Sequence, residues 1–128
     1  MAIFIIEPFK RVGHVVFGAE REIVRREMGT YKEFRKSRFS KNTTDAFGGC
    51  HVYYDQENHV EAVELFRGET PIYKNKNLFL FTPEQIARLI ADEKMTRTEY
   101  SVSFPTYGID LGLAGGEIDS VFIHTKEY

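Results

Sequence analysis

Cys50 and His51 are adjacent, and a thiol beside an imidazole is the pair that cysteine enzymes use as nucleophile and base. Neighbouring strand residues point to opposite faces of a sheet, so these two side chains cannot form a hydrogen-bonded dyad, and we expect Cys50 to pack inside the sheet. His51, His59 and His124 would meet only if two hairpins aligned, and their spacing is not that of a metal site. The sequence therefore predicts no catalytic residue of this kind, no bound metal and no cofactor.

Two carboxyl groups inside an apolar segment, Glu61 and Glu64, are the remaining candidates for acid–base catalysis, because burial raises the pKa of a carboxyl group. Side chains three residues apart in a strand point in opposite directions, so the two do not form a catalytic pair. We expect a protein that is not an enzyme. An acid–base enzyme that uses one of these glutamates is the third of three hypotheses.

A basic and aromatic stretch at residues 31–41 contains Arg35, Lys36 and Arg38. Guanidinium and ammonium groups beside aromatic rings bind phosphates and stack on bases. This stretch is therefore the candidate site for a small anionic ligand such as a nucleotide. A solvated basic strand is the alternative interpretation.

Acidic residues gather in two segments that read as hairpins. They are Asp55, Glu57, Glu61, Glu117 and Asp119. If the two hairpins lie side by side, we expect these acids to form one anionic edge that faces a basic partner, although a solvated charged surface has the same pattern. If neither charged surface binds, the exposed aromatic side chains, Tyr53 and Tyr107 first, are the remaining candidates.

A repeated pattern predicts the strands that position these residues. Residues 49–55 and 60–66 predict one β-hairpin, and residues 108–113 and 118–121 predict a second. The second strand of each opens with an aliphatic residue, an acid, a small residue and Val. In the first hairpin the apolar residues of that strand do not alternate cleanly, so we expect either a β-bulge or cover on both faces.

Further strands are predicted at residues 2–6, 72–74, 78–81 and 98–104. The spacing of apolar residues predicts a helix over residues 19–28, with Ile23, Val24 and Met28 facing inward, Arg21 and Arg25 facing solvent, and an end at Gly29. A second helix is predicted to begin at Thr82, with Pro83 at its first position and Gln85 completing a capping box. The order of elements predicts a single α+β domain over residues 1–128, with a mainly antiparallel sheet built from repeated hairpins and two helices.

Charge is unevenly distributed along the 128 residues, whose net charge is −2. Residues 1–45 carry ten Lys or Arg against six Asp or Glu, and residues 46–128 carry seven against thirteen. The overall balance is not that of a general nucleic-acid binder. The single cysteine cannot form an internal disulfide, and the apolar run at residues 3–6 is far shorter than a membrane span, so we expect a cytoplasmic protein that does not bind a membrane.

Between residues 16 and 66 the chain resembles small bacterial proteins of the kind found as immunity partners of polymorphic toxins. The resemblance is carried by Phe17-Gly18, Arg21, Ile23, Val24, Gly29, Asp45-x-Phe47, His51-Val52-x-Tyr54-Asp55 and Val60-Glu61-Ala62-Val63-Glu64. It implies a small cytoplasmic inhibitor or binder, and it transfers no functional residue.

Three hypotheses follow from these patterns. The first is a non-enzymatic binding protein that neutralises a toxin or related effector by occluding it, and it predicts a large protein interface. The second is a small-ligand binder, for an anionic nucleotide or a phage anti-defence role, and it predicts a pocket with convergent Arg and Tyr side chains. The third, the acid–base enzyme, predicts a carboxylate at the floor of a cleft. An exposed edge strand would also be compatible with a homodimer.

Overall fold

The computed structural model describes residues 2–128 as a mixed α+β fold, which confirms the predicted fold class. In chain order the strands are β1 (Ile3–Glu7), β2 (Arg11–Val12), β3 (Val15–Val16), β4 (Lys32–Phe34), β5 (Thr44–Phe47), β6 (Cys50–Tyr54), β7 (Val60–Phe66), β8 (Thr70–Tyr73), β9 (Lys76–Asn77), β10 (Thr96–Arg97), β11 (Ser101–Phe104), β12 (Ile109–Ala114) and β13 (Glu117–His124). The helices are α1 (Arg21–Met28), α2 (Pro83–Ile90) and a 3-10 helix (Leu78–Leu80).

The strands form two sheets. The larger has eight strands in the order β10-β11-β12-β13-β7-β6-β5-β4, and every neighbouring pair in it is antiparallel. The smaller has five strands in the order β3-β2-β1-β8-β9, and its central pair, β1 with β8, is parallel. The large sheet therefore consists of two four-stranded meanders, β4–β7 and β10–β13, joined through their last strands.

The two halves of the chain share one order of elements. Each half begins with antiparallel strands of the small sheet, three in the first half (β1–β3) and two in the second (β8 and β9), continues with an α-helix and ends with a four-stranded meander of the large sheet. The repeat visible in the sequence as two similar hairpins thus extends to whole halves of the fold. Corresponding positions in the two halves can therefore be compared directly.

The shared sequence pattern encodes a β-bulge in both hairpins. In the first, Tyr53 pairs with Ala62 and Tyr54 with Val60, so Glu61 is the extra residue. In the second, Gly112 pairs with Ser120 and Leu113 with Ile118, so Asp119 is the extra residue. Of the two explanations offered by the irregular alternation of residues 60–66, the bulge is the one that the structure shows.

One core cluster lies between the two sheets and the helices. The inner face of the large sheet contributes Val52, Val63, Leu111 and Val121, all fully buried. Opposite them the small sheet contributes Phe4 and Ile6, and α2 contributes Ile86 and Ile90. The outer face of the large sheet carries half-buried aromatic, histidine and acidic side chains instead, among them His51, Glu64 and Phe122.

Three local predictions have different outcomes in the structure. Helix α2 has the predicted capping box, with the Thr82 side chain and the Gln85 side chain each accepting from the other's backbone N–H. The segment expected as a strand at residues 78–81 is mainly a 3-10 helix, begun by the side chain of Asn77, which accepts from the Phe79 N–H. In α1 the predicted faces are wrong for three residues, since Ile23 is 41% exposed, Arg21 is buried, and the Arg25 side chain is 16% exposed and donates to the buried Asp45.

Candidate functional site

A buried carboxylate, Asp45, organises the first half of the protein. It lies on β5 with no exposed surface and accepts hydrogen bonds from two arginines of α1. Arg25 donates to it at 2.7 and 2.8 Å, and Arg21 at 2.9 and 3.3 Å. Tyr54 donates through its hydroxyl group at 3.0 Å. We call Arg21, Arg25 and Asp45 the ion cluster.

Electrostatics keep the ion cluster charged. Burial alone would raise the pKa of Asp45, but hydrogen bonds from Arg25, Arg21 and Tyr54 outweigh burial and hold that pKa below its usual value. The hydrogen bonds that Arg25 donates to Asp45 raise the pKa of Arg25. Burial and the neighbouring charge of Asp45 raise the pKa of Tyr54, so its hydroxyl group remains a donor.

Arg21 extends the ion cluster to two surface segments. Its guanidinium group donates to Asn42 at 3.1 Å and to Thr43 at 2.8 Å, in the loop between β4 and β5. It also donates to Asn58 at 3.2 Å, in the turn between β6 and β7. Asn42 in turn donates to the backbone carbonyl of Asp55 at 2.7 Å. Arg21 therefore fixes the loop and the turn relative to each other, together with the hydrogen bonds that Asn42 donates to Asp55 and, at 2.8 Å, to Asn58.

A cleft of about 440 Å³ opens between this loop and this turn, at one end of the large sheet. Its volume lies in the range typical of small-molecule sites. The residues that line it are Lys36, Ser40, Lys41, Asn42, Thr43, Thr44, Tyr53, Tyr54, Asp55, Gln56, Glu57, Glu61 and Tyr128. The loop side supplies lysines, the turn side supplies acids and the floor supplies tyrosines.

The floor of the cleft is held by Tyr53. The ammonium group of Lys36 lies 4.9 Å from the centre of its ring, and its hydroxyl group donates to Glu64 at 2.5 Å. Burial, followed by the hydrogen bond to Glu64, raises the pKa of Tyr53. The expectation of an exposed Tyr53 is wrong, since only 9% of the residue is accessible.

The acidic side of the cleft centres on Glu61, the bulge residue of β7. Burial raises the pKa of Glu61, the charge of Asp55 raises it further, and the charge of Lys41 opposes both. Among residues 2–128 no hydrogen-bond donor contacts its carboxyl group. Tyr128 lies close by, with its ring centre 5.3 Å from that of Phe122 and more than half of its surface exposed.

Residues 35–43, which we call the basic loop, form the outer rim of the cleft. The loop contains Arg35, Lys36, Arg38 and Lys41 and no acidic residue. Arg35 donates to the backbone carbonyl of Ser40 at 2.5 Å, which closes the loop on itself. At its tip Phe39 is 79% exposed.

The second half of the protein has no counterpart of these features. Asp45 pairs with Val52, two residues before Tyr54, which faces the bulge of β7. Val102 pairs with Leu111, two residues before Leu113, which faces the bulge of β13. Val102 thus occupies the position of Asp45. By their order along each helix, Pro83 and Ala87 of α2 correspond to Arg21 and Arg25 of α1. The nine residues of the basic loop correspond to only three, residues 98–100, between β10 and β11.

The structure brings five of the predicted binding residues together and separates the other four from them. Lys36, Tyr53, Asp55, Glu57 and Glu61 line the cleft. Arg35 and Arg38 lie in the basic loop outside the cleft lining. The single anionic edge does not form, because β7 and β13 are antiparallel and their turns lie at opposite ends of the sheet, which places Glu117 and Asp119 far from Glu57.

Other candidate chemistry stays separated. Cys50 is buried on the inner face of the sheet and His51 lies on the outer face, so the two do not form a dyad. Burial and the charge of Glu69 raise the pKa of Cys50 to about 12. Within residues 2–128 no group of three or more His, Cys, Asp or Glu side chains is placed to hold a metal ion. No helix in the described part of the chain has the length and apolar character needed to cross a membrane.

The sequence patterns do not single out the ion cluster or Phe39 as functional. The available signal for the cluster is the spacing of Arg21 and Arg25, which places both on one helix face, together with an acid inside the apolar segment 44–47. Comparison with known proteins adds no identification, since no protein-family model, no curated protein and no solved structure matches the chain.

Proposed function

We propose that the protein is a non-enzymatic binding protein that neutralises a toxin or related effector by occluding it, with the basic loop as the principal contact. One observation carries the proposal: the basic loop is three times as long as its counterpart in the second half, and its base is fixed by the ion cluster. A loop extended beyond what the fold needs and then immobilised is typical of a recognition element.

The chemistry of the basic loop defines the partner. A largely exposed Phe39 is suited to fill an apolar pocket, as aromatic anchors do at the centre of interfaces. The four cationic side chains around it favour an acidic surface next to that pocket and accelerate encounter with it. The partner is therefore an effector with an apolar pocket bordered by acidic residues.

The neighbouring surface can extend this contact. On the outer face of the large sheet, Phe34 and Phe66 lie on either side of His51, at ring-centre distances of 5.2 and 4.7 Å. Phe34 is the last residue of β4, the strand that leads into the basic loop. Occlusion of an effector requires about 800 Å² from each partner, which a loop alone does not supply.

The proposal is tested with a panel of candidate toxins, by growth rescue on co-expression and by titration of the purified proteins. Occlusion predicts that inhibition is complete at a fixed molar ratio of the two proteins. Phe39→Ala should weaken binding by about 30-fold, which corresponds to about 2 kcal/mol. Arg38→Glu should reduce the association rate and its dependence on salt.

Tyr100→Ala is the matched control, because Tyr100 is 73% exposed and lies between β10 and β11, at the edge of the large sheet opposite to β4. It should bind with unchanged affinity. Neutralisation of a large molar excess of effector would contradict occlusion and favour an enzyme. Equal binding by Phe39→Ala and the unaltered protein would remove the basic loop from the proposal.

A further inference from the structure

The cleft separates opposite charges across an aromatic floor. Lys36 and Lys41 belong to the basic loop, whereas Asp55 begins the turn between β6 and β7 and Glu61 follows that turn on β7. Because Arg21 holds the loop to the turn, this separation is built in and does not depend on a ligand. A ligand that fits such a cleft carries an anion at one end and hydrogen-bond donors at the other.

The carboxyl group of Glu61 determines which hydrogen-bond donors a ligand of this cleft must carry. In residues 2–128 no side chain or backbone N–H donates to it, so both of its oxygens remain available as acceptors. Two parallel N–H donors match a carboxylate most closely. The ring of Tyr128, close to Glu61 and more than half exposed, offers a stacking surface beside these acceptors.

We propose that the cleft is a binding site for a guanine nucleotide, with the phosphate at Lys36 and Lys41, the base on Tyr128, and the guanine N1–H and amino group donating to Glu61. Guanine presents these two donors side by side, whereas adenine offers one donor next to an acceptor, which a carboxylate cannot satisfy. The site does not depend on the proposed occlusion of an effector, because Phe39 lies outside the cleft lining.

Isothermal titration calorimetry with GMP tests the site directly, with AMP, guanosine and inorganic phosphate as comparison ligands. GMP should bind at least tenfold more tightly than each of the other three. Lys41→Ala should weaken GMP binding at least tenfold while leaving guanosine binding unchanged. Glu61→Gln should reduce the preference for GMP over AMP to less than about threefold.

Lys32→Ala is the matched control, because Lys32 is an exposed lysine of β4 outside the cleft, and it should bind GMP normally. Thermal unfolding of each variant checks that the fold is intact. A 5′-phosphorylated oligonucleotide that begins with guanosine distinguishes a nucleic-acid end from a free nucleotide as the source of this chemistry. Tighter binding of the oligonucleotide, with the same losses in both variants, would support the site and assign it to a nucleic-acid end.

Three results would overturn the proposal. They are the absence of GMP binding at millimolar concentration, equal affinity for GMP and AMP in the unaltered protein, and GMP binding that Lys41→Ala and Glu61→Gln leave unchanged. The occlusion proposal fails independently, through Phe39→Ala, so the two failures are distinguishable.

Discussion

Replacing Asp45 by Val tests whether the ion cluster serves the fold or the cleft. Asp45→Val removes the acceptor of five hydrogen bonds and leaves two guanidinium groups facing an apolar side chain. Breaking a buried ion pair by removing one partner costs about 3–5 kcal/mol. The Arg25 side chain keeps 16% of its surface exposed, and Arg21 keeps its acceptors in Asn42 and Asn58, so we expect a loss near the lower value.

The same substitution should be tolerated when the arginines are removed with it. The second half of the protein builds the corresponding site from Val102, Pro83 and Ala87, and Val102 is fully packed there. Apolar replacement of a complete buried ion group is often neutral or stabilising. We therefore expect Asp45→Val combined with Arg21→Leu and Arg25→Ala to unfold within about 1 kcal/mol of the unaltered protein.

Urea denaturation followed by circular dichroism measures both free energies of unfolding, since the chain has no tryptophan to report by fluorescence. Arg26→Ala is the control, because Arg26 is an exposed arginine of the same helix, and it should change stability by less than about 0.5 kcal/mol. The triple variant should fold and yet bind GMP more weakly, because only the hydrogen bonds from Asn42 to Asn58 and to the Asp55 carbonyl then join the loop to the turn. A triple variant no more stable than Asp45→Val alone would refute this reasoning.

Two further predictions concern single residues. Gly29→Val should destabilise the protein by more than about 1 kcal/mol in thermal unfolding. Gly29 ends α1 at φ 88° with open space where a Cβ would lie, so the cost comes from backbone conformation alone. Thr30→Val is the control in the same assay. Cys50 has no exposed surface and a pKa raised to about 12 by burial and by Glu69, so a thiol reagent at pH 8 should label it only after unfolding. Rapid labelling of the native protein would show that the sheet opens at β6.

Local sequence patterns predict the architecture because they act over short distances. The two hairpins, the capping box of α2 and the end of α1 at Gly29 each depend on a few adjacent residues, and all three are confirmed. The 3-10 helix at Leu78–Leu80 departs from the strand prediction because the Asn77 side chain competes for the backbone N–H of Phe79.

The candidate site could be predicted only in part from the sequence, because it depends on pairing between strands that are far apart in the chain. Helical periodicity predicts that Arg21 faces solvent. The pairing of β5 with β6 places Asp45 on the inner face of the sheet, where it accepts a hydrogen bond from Arg21. In the same way, the acids of the two hairpins look equivalent in sequence. The antiparallel pairing of β7 with β13 sends Glu57 and Glu117 to opposite ends of the sheet.

The internal repeat separates what the fold requires from what is added to it. Both halves build a hairpin, a helix and a bulged meander, so those features are sufficient for the architecture. The first half alone has a buried acid with two arginines and a nine-residue loop, and both meet at one end of the large sheet. Buried ions stabilise a fold no better than apolar packing does, so their value here lies in holding a loop and a turn at a fixed separation. Recognition, whether of an effector by Phe39 or of a nucleotide in the cleft, is therefore expected at that end of the molecule.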